Sequence, residues 1–243
     1  VITEGQVDSH LPLSNDCKYV LHNCDTSKYD THNIEYSVLQ VYSHDVLTRS
    51  VEKIAECEYY QRENKTLYQP WATDLLPYEI ESMTLVDSDS TLSPICHWVG
   101  SVMHGDHGNV NEVRSFAEAA HEAGVQFAVS TGVDHIAGMQ LVRESYLAPA
   151  IQGAWQVKNG YIPCRIFKNI SYGHMGVTNS EAVYRLLEEK ITYHEDCREL
   201  FFRSANDFSS VSRKQREEVM NLIKEKHTYL NRIKNILNVT GAS

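Results

Sequence analysis

Between residues 95 and 189 the sequence alternates between short apolar runs and stretches with helical spacing, and this alternation limits the fold more than any other feature of the chain. Ile95-Cys96-His97-Trp98-Val99 is an apolar run that ends in Gly100-Ser101, the pattern of a buried parallel strand entering a phosphate-side loop. A helix is predicted over 111–123, with Val113, Phe116, Ala117 and Ala120 on one face and Gly124 as its stop. A strand over 125–129 follows, then a helix through 139–143 and a strand near 146–151. The series closes with a helix over 163–172 ended by Gly173, a strand over 175–178 and a helix over 181–189. Strands and helices in strict turn, with short connections, predict an α/β fold: a parallel sheet covered on both faces.

The flanks carry weaker signals. Val1-Ile2-Thr3-Glu4-Gly5 reads as the end of a strand entering a turn, and with no initiator Met the chain is read as starting inside a domain. Further strands are expected at 19–22, 36–42 and 66–69, and the spacing of Val46, Val51 and Ile54 predicts a helix over 45–56. One βαβ unit takes about 30 residues, so this region amounts to a partial lobe. Two prolines within Gln69-Pro70-Trp71-Ala72-Thr73-Asp74-Leu75-Leu76-Pro77 mark a linker, and the polar tail over 213–237 reads as a helix pair or one kinked helix. The expected organisation is a partial lobe over 1–74, a larger domain over 75–225 and a final helix over 226–243.

Composition removes several function classes. A net charge of −10 argues against sequence-tolerant nucleic-acid binding, which needs a basic footprint. No apolar run approaches the roughly 18 to 20 residues of a membrane span, and the start lacks a secretory pattern, so a soluble cytoplasmic protein is the default expectation. The six cysteines include no C-x-x-C pair, so neither a zinc ribbon nor a disulfide framework is spelled out. Oligomeric state is not legible.

The chemistry concentrates in Tyr161-Ile162-Pro163-Cys164-Arg165-Ile166-Phe167-Lys168 and the residues after it. Pro163 suits the first helical position, which frees the amino end of that helix to hold an anion. Arg165 adds a fork of donors matched to phosphate oxygens, and Lys168 lies one turn on. Ser180 is expected to cap the next helix, with Glu181 in its first turn, opening a second amino end nearby. The same residues also fit a plainer reading of two surface cations and an ordinary cap.

Arg-Ile-Phe-Lys-x4-Gly over 165–173, followed by Gly176-Val177-Thr178-Asn179-Ser180, resembles the R-x-F-E-x4-G signature and following strand of GT-B glycosyltransferases of the group 1 and spore-maturation-protein type. Three more similarities occur in the same order as in that family. Pro70-Trp71-Ala72-Thr73-Asp74 resembles its interdomain linker, Trp98-Val99-Gly100-Ser101 its first donor-domain strand and glycine turn, and His227-Thr228-Tyr229-Leu230-Asn231-Arg232 the H-T-Y-x-x-R opening of its last helix. The resemblance implies a GT-B-like fold with a Rossmann-type donor domain, a nucleotide-diphosphate sugar as co-substrate, a glycan or other hydroxyl acceptor, and no metal. It implies that Gly100 and Ser101 approach the sugar-phosphate in a cleft between lobes, with Tyr161, Ile162 and Pro163 around it. Arg165 would then bind the diphosphate beside Thr178, Asn179 and Ser180. Lys168 departs from the pattern, because it stands where the family has a glutamate and cannot accept from hydroxyls.

Sugar transfer needs a stabilised leaving diphosphate, assigned here to Arg165 and Lys168, and in many enzymes a base for the acceptor hydroxyl. His22 and Asp25, after an expected strand, are the first candidates for that base, followed by Glu4 and Asp8. A lone histidine in such a place is more often structural. Two alternatives remain open: a non-catalytic nucleotide- or glycan-binding module, and a metal-dependent hydrolase built on His104, Asp106 and His107. Against the second, a third and fourth ligand are not apparent, and the glycines around those residues suit a flexible loop.

Overall fold

The computed structural model describes residues 2–3, 19–22, 34–39, 52–55, 58–61, 65–87 and 94–241. The chain divides into two compact units, one comprising 1–71 with 230–243 and the other 72–229. Among the described residues no helix is long and apolar enough to cross a membrane.

The first unit holds a six-stranded sheet of β1 (Ile2–Thr3), β2 (Tyr19–His22), β3 (Ile34–Leu39), β4 (Glu52–Ala55), β5 (Glu58–Gln61) and β6 (Thr66–Tyr68), in the order β1-β2-β3-β6-β5-β4. Its first four members in that order pair in parallel, and β5 runs antiparallel to both β6 and β4. The helix expected over 45–56 is corrected at its end: residues 52–55 form β4, paired to a β5 that the sequence did not announce. Lys53 opposes Tyr59 in that ladder, so pairing with a neighbouring strand overrides the local helical spacing. Residues 45–51 lie outside the described set.

A buried ion pair ties this unit together. Arg232 donates to Glu58, and its guanidinium also donates to the carbonyls of Pro70 (3.0 Å) and Trp71 (3.2 Å). With both side chains almost fully buried, at 3% and 2% exposure, each charge depends on the other for solvation.

The second unit is α/β, built on small parallel sheets. Strands β7 (Ile95–Val99) and β8 (Gln126–Ser130) form one pair, β9 (Val177–Thr178) and β10 (Thr192–Tyr193) another. Segment 145–151, expected as a strand, runs between them without forming a regular ladder. Tyr146 N donates to Ile95 O (2.8 Å) on one side and Ala150 N to Val177 O (2.8 Å) on the other. Side chains have taken the ladder's place: Asn169 Nδ2 donates to Ala148 O, Thr178 Oγ1 to Ala150 O and Asn109 Nδ2 to Ile151 O. The spatial order is therefore β8, β7, the segment, β9, β10.

Alternation along β7 buries Cys96 and Trp98 among Phe116 of α2 (Val110–Glu122) and Phe201 of α7 (Cys197–Ser210). A second core gathers Ile166, Phe167 and Ile170 of α5 (Cys164–Ser171) with Val142 of α3 (His135–Glu144) and Ile223 of α8 (Arg213–Lys226). The remaining helices are α1 (Pro77–Ser82), α4 (Ala154–Lys158), α6 (Glu181–Leu186) and α9 (Tyr229–Thr240). The tail is thus a helix pair, broken at His227-Thr228. α6 stops three residues short of the expected end, because Glu188 and Glu189 turn left-handed (φ 56° and 59°) and Glu189 N reaches back to Tyr184 O (2.9 Å).

Candidate functional site

Chain reversal in the second unit occurs at the carboxyl end of β7. From β7 the chain passes to β8 on one side and to segment 145–151 on the other, which leaves room beyond the strand end. A cavity of about 290 Å³ lies there, lined by Val99 and Gly100 at the strand end, by the start of α3, and by Cys164, Arg165 and Lys168 of α5.

Arg165 sits in the first turn of α5. Pro163 occupies the cap position, one residue before the first helical position expected for it. The guanidinium spreads over the Trp98 ring (3.7 Å to the centroid) and donates Nε and Nη2 to Val99 O (3.3 and 3.1 Å). Burial draws its pKa down to about 10, partly countered by Cys164 and Tyr161, so it stays a cation at neutral pH. Gly100 makes this placement possible, with φ at 115° and no side chain: a Cβ there would meet Arg165 Nη2 at 2.7 Å. The adjoining turn is pinned by the Trp98 indole N–H, which donates to Ser101 O (3.3 Å).

At Lys168, one turn along α5 from Arg165, four polar side chains converge. Asp74 Oδ2 receives Lys168 Nζ at 2.7 Å and faces His135 Nδ1 at 3.0 Å, while Tyr172 donates its hydroxyl to Asp74 Oδ1 at 2.8 Å. Burial works to raise the Asp74 pKa, but the hydrogen bonds from Lys168 and Tyr172 and the charges of Lys168 and His135 outweigh it and hold the carboxyl below its ordinary range. The Tyr172 phenol is pushed well upward, first by burial and then by the neighbouring carboxylate. Asp74 is carried in by the chain that follows the first unit, where Thr73 N donates to His227 O (3.0 Å) and Tyr229 N to Thr73 O (3.3 Å). The Pro70–Asp74 and His227–Arg232 motifs, about 155 residues apart in sequence, therefore lie side by side.

Gly100, Arg165 and Lys168 line the cavity; among the described residues, the other expected site residues do not. Ser101 is exposed beside it, Ile162 packs into the core, and Pro163 caps α5. Tyr161 lies before that cap and is half-buried. Thr178, Asn179 and Ser180 are buried around segment 145–151, and the Asn179 amide closes both backbone groups of Gln152 at 2.8 Å. Ser180 occupies the cap position of α6 but makes no capping bond, and its hydroxyl has no partner; Thr178 Oγ1 takes the Ser180 N–H instead. Ser180 is buried and is not among the residues that line the cavity. His22 falls in β2, and its side chain, like Glu4, Asp8 and Asp25, lies outside the described residues. His104, Asp106 and His107 are exposed, His107 resting edge-on against Trp155, and among the described residues no three metal-ligating side chains converge.

Sequence reasoning missed Asp74 as a site residue, and with it His135, Tyr172 and Cys164. Asp74 was visible only as part of a linker. His135 follows Asp134, whose side chain accepts from Ala137 N (2.9 Å), so an Asp-x-x helix-cap signal at the end of β8 marked the place. No protein family, curated protein or solved structure matches the chain.

Proposed function

We propose that the protein is a glycosyltransferase that uses a nucleotide-diphosphate sugar, with the cavity beyond β7 as the seat of the diphosphate. The observation that carries this reading is the pairing of Arg165, laid against the side-chain-free turn at Gly100, with Lys168 one turn further along α5, lining the same cavity. Two cations held there suit the dianionic diphosphate of the donor and the further negative charge it gains as it leaves, and the missing Cβ of Gly100 makes room for the guanidinium that would meet it. The four ordered motif similarities point the same way. In the reaction the acceptor hydroxyl oxygen attacks the anomeric carbon, the bond from that carbon to the β-phosphate oxygen breaks, and the diphosphate leaves with its charge on Arg165 and Lys168. The hydroxyl proton passes to a base.

Calorimetry with UDP-glucose, GDP-mannose and dTDP-glucose, followed by assay of sugar release, tests the proposal. One donor is expected to bind and to turn over slowly into water. Arg165→Ala is expected to weaken that binding roughly 10- to 100-fold, the range of a lost charge-assisted hydrogen bond. An unchanged affinity would remove Arg165 from the site. Binding with no turnover, even with a hydroxyl acceptor supplied, would favour the binding-module reading, for which the modest 290 Å³ cavity speaks.

A further inference from the structure

We infer that binding of a nucleotide-diphosphate sugar at this cavity draws a proton onto His135, so that affinity is linked to pH through the Asp74–His135 pair. The inference rests on the nucleotide-sugar reading above and adds to it a regulation of the same site.

Charge balance at the cavity sets the direction of the linkage. The charged and titratable groups around His135 are Asp74 from the linker, Arg165, Lys168, Cys164 and Tyr172 from the α5 side, and Asp134 on its own helix. Arg165 and Lys168 stand there with Asp74 and Asp134. A diphosphate diester brings two negative charges. It also competes with Asp74 for Lys168, whose ammonium lies 2.7 Å from Asp74 Oδ2 and also lines the cavity. As Lys168 turns to phosphate, Asp74 loses its nearest cation. The remaining group able to become cationic against the same oxygen is His135, already 3.0 Å away. Histidine is the side chain that changes charge within the physiological range, and both the incoming dianion and the released carboxylate favour the imidazolium. His135 is half exposed, at 49%, so a proton reaches it from solvent without any opening of the fold.

Thermodynamic linkage makes the consequence measurable: where the complex binds more protons than the free protein, affinity rises as pH falls. The probe is whichever of UDP-glucose, GDP-mannose and dTDP-glucose binds, since these diphosphate diesters do not titrate near neutrality. Titration calorimetry at pH 7 in two buffers of different ionisation enthalpy is expected to report uptake of a fraction of a proton, up to about one. In ¹⁵N-histidine-labelled protein, the resonances absent from the His135→Asn spectrum are expected to move toward imidazolium positions when ligand saturates the wild type. Asp74→Asn is expected to reduce the uptake, because the released carboxylate is then missing. Binding whose heat is independent of buffer, or saturation that leaves the His135 resonances in place, overturns this inference alone and leaves the site reading standing. Failure of all three sugars to bind overturns the site reading, and this inference with it.

Discussion

Arg232 and Arg165 both direct their guanidinium groups at backbone carbonyls, and they differ in what balances the charge. Arg232, in the first unit, is closed on all sides by Glu58, Pro70 O and Trp71 O. Arg165, in the second, donates to a single carbonyl and stacks on Trp98, and among the described residues no carboxylate pairs with it. One arginine has its charge spent on the fold, while the other keeps an unbalanced charge at the edge of a cavity. A buried cation without an anion is costly, and a site that receives an anion is where such a cost is offset on binding.

The largest expected effect tests the first half of that contrast. Arg232→Ala or Glu58→Ala strands the surviving charge in the interior and is expected to cost about 3–5 kcal/mol in denaturant unfolding. Arg165→Ala removes two hydrogen bonds to one carbonyl and one ring contact and is expected to cost only about 1–2 kcal/mol, while taking most of the diphosphate affinity with it. Equal losses of stability in the two arginine variants would break the comparison.

Two glycines sharpen it further. Gly100 and Gly105 both have positive φ, 115° and 85°, but only at Gly100 does an added Cβ collide with anything within 4 Å, namely Arg165 Nη2. Alanine at either position is expected to cost about 1–3 kcal/mol through backbone strain. Only Gly100→Ala is expected to lower nucleotide-sugar affinity, because it pushes the guanidinium out of place. A matching affinity loss in Gly105→Ala would mean that the loop, not the arginine, governs binding.

What could be read from the sequence follows the distance over which each feature is determined. The 95–178 alternation was legible because apolar runs and helical spacing are patterns of consecutive residues, as β7, α2, β8, α3 and α5 show. Arg165 was legible because Pro163 and Gly173 bracket its helix locally. α7 was missed although Cys197, Leu200, Phe201, Ser204 and Phe208 keep helical spacing behind the Asp196 cap; the polar residues between them mask the stripe. The β4–β5 hairpin was misread because strand identity there comes from pairing with β6, and Glu58 stays buried through an arginine 174 residues away. Asp74 and His135 became neighbours only through folding, from a linker and a helix start whose separate patterns say nothing of each other.

The smallest expected effect concerns Asp74, whose carboxylate receives both Lys168 and Tyr172. Its folded-state carboxyl is held below the ordinary value, chiefly by hydrogen bonds from Lys168 and Tyr172 that prevail over burial. The sign follows: ionised Asp74 stabilises the fold at any pH above its unfolded value of about 4, and the contribution is lost as pH falls through the lower folded value. Asp74→Asn removes this dependence, so its stability is expected to fall less steeply below pH about 4 than that of the wild type, by no more than about 1 kcal/mol for so partly exposed a pair. Parallel acid-unfolding curves for wild type and Asp74→Asn would show that Lys168 is not held by Asp74 in the free protein, and would leave both site cations unbalanced before any ligand arrives.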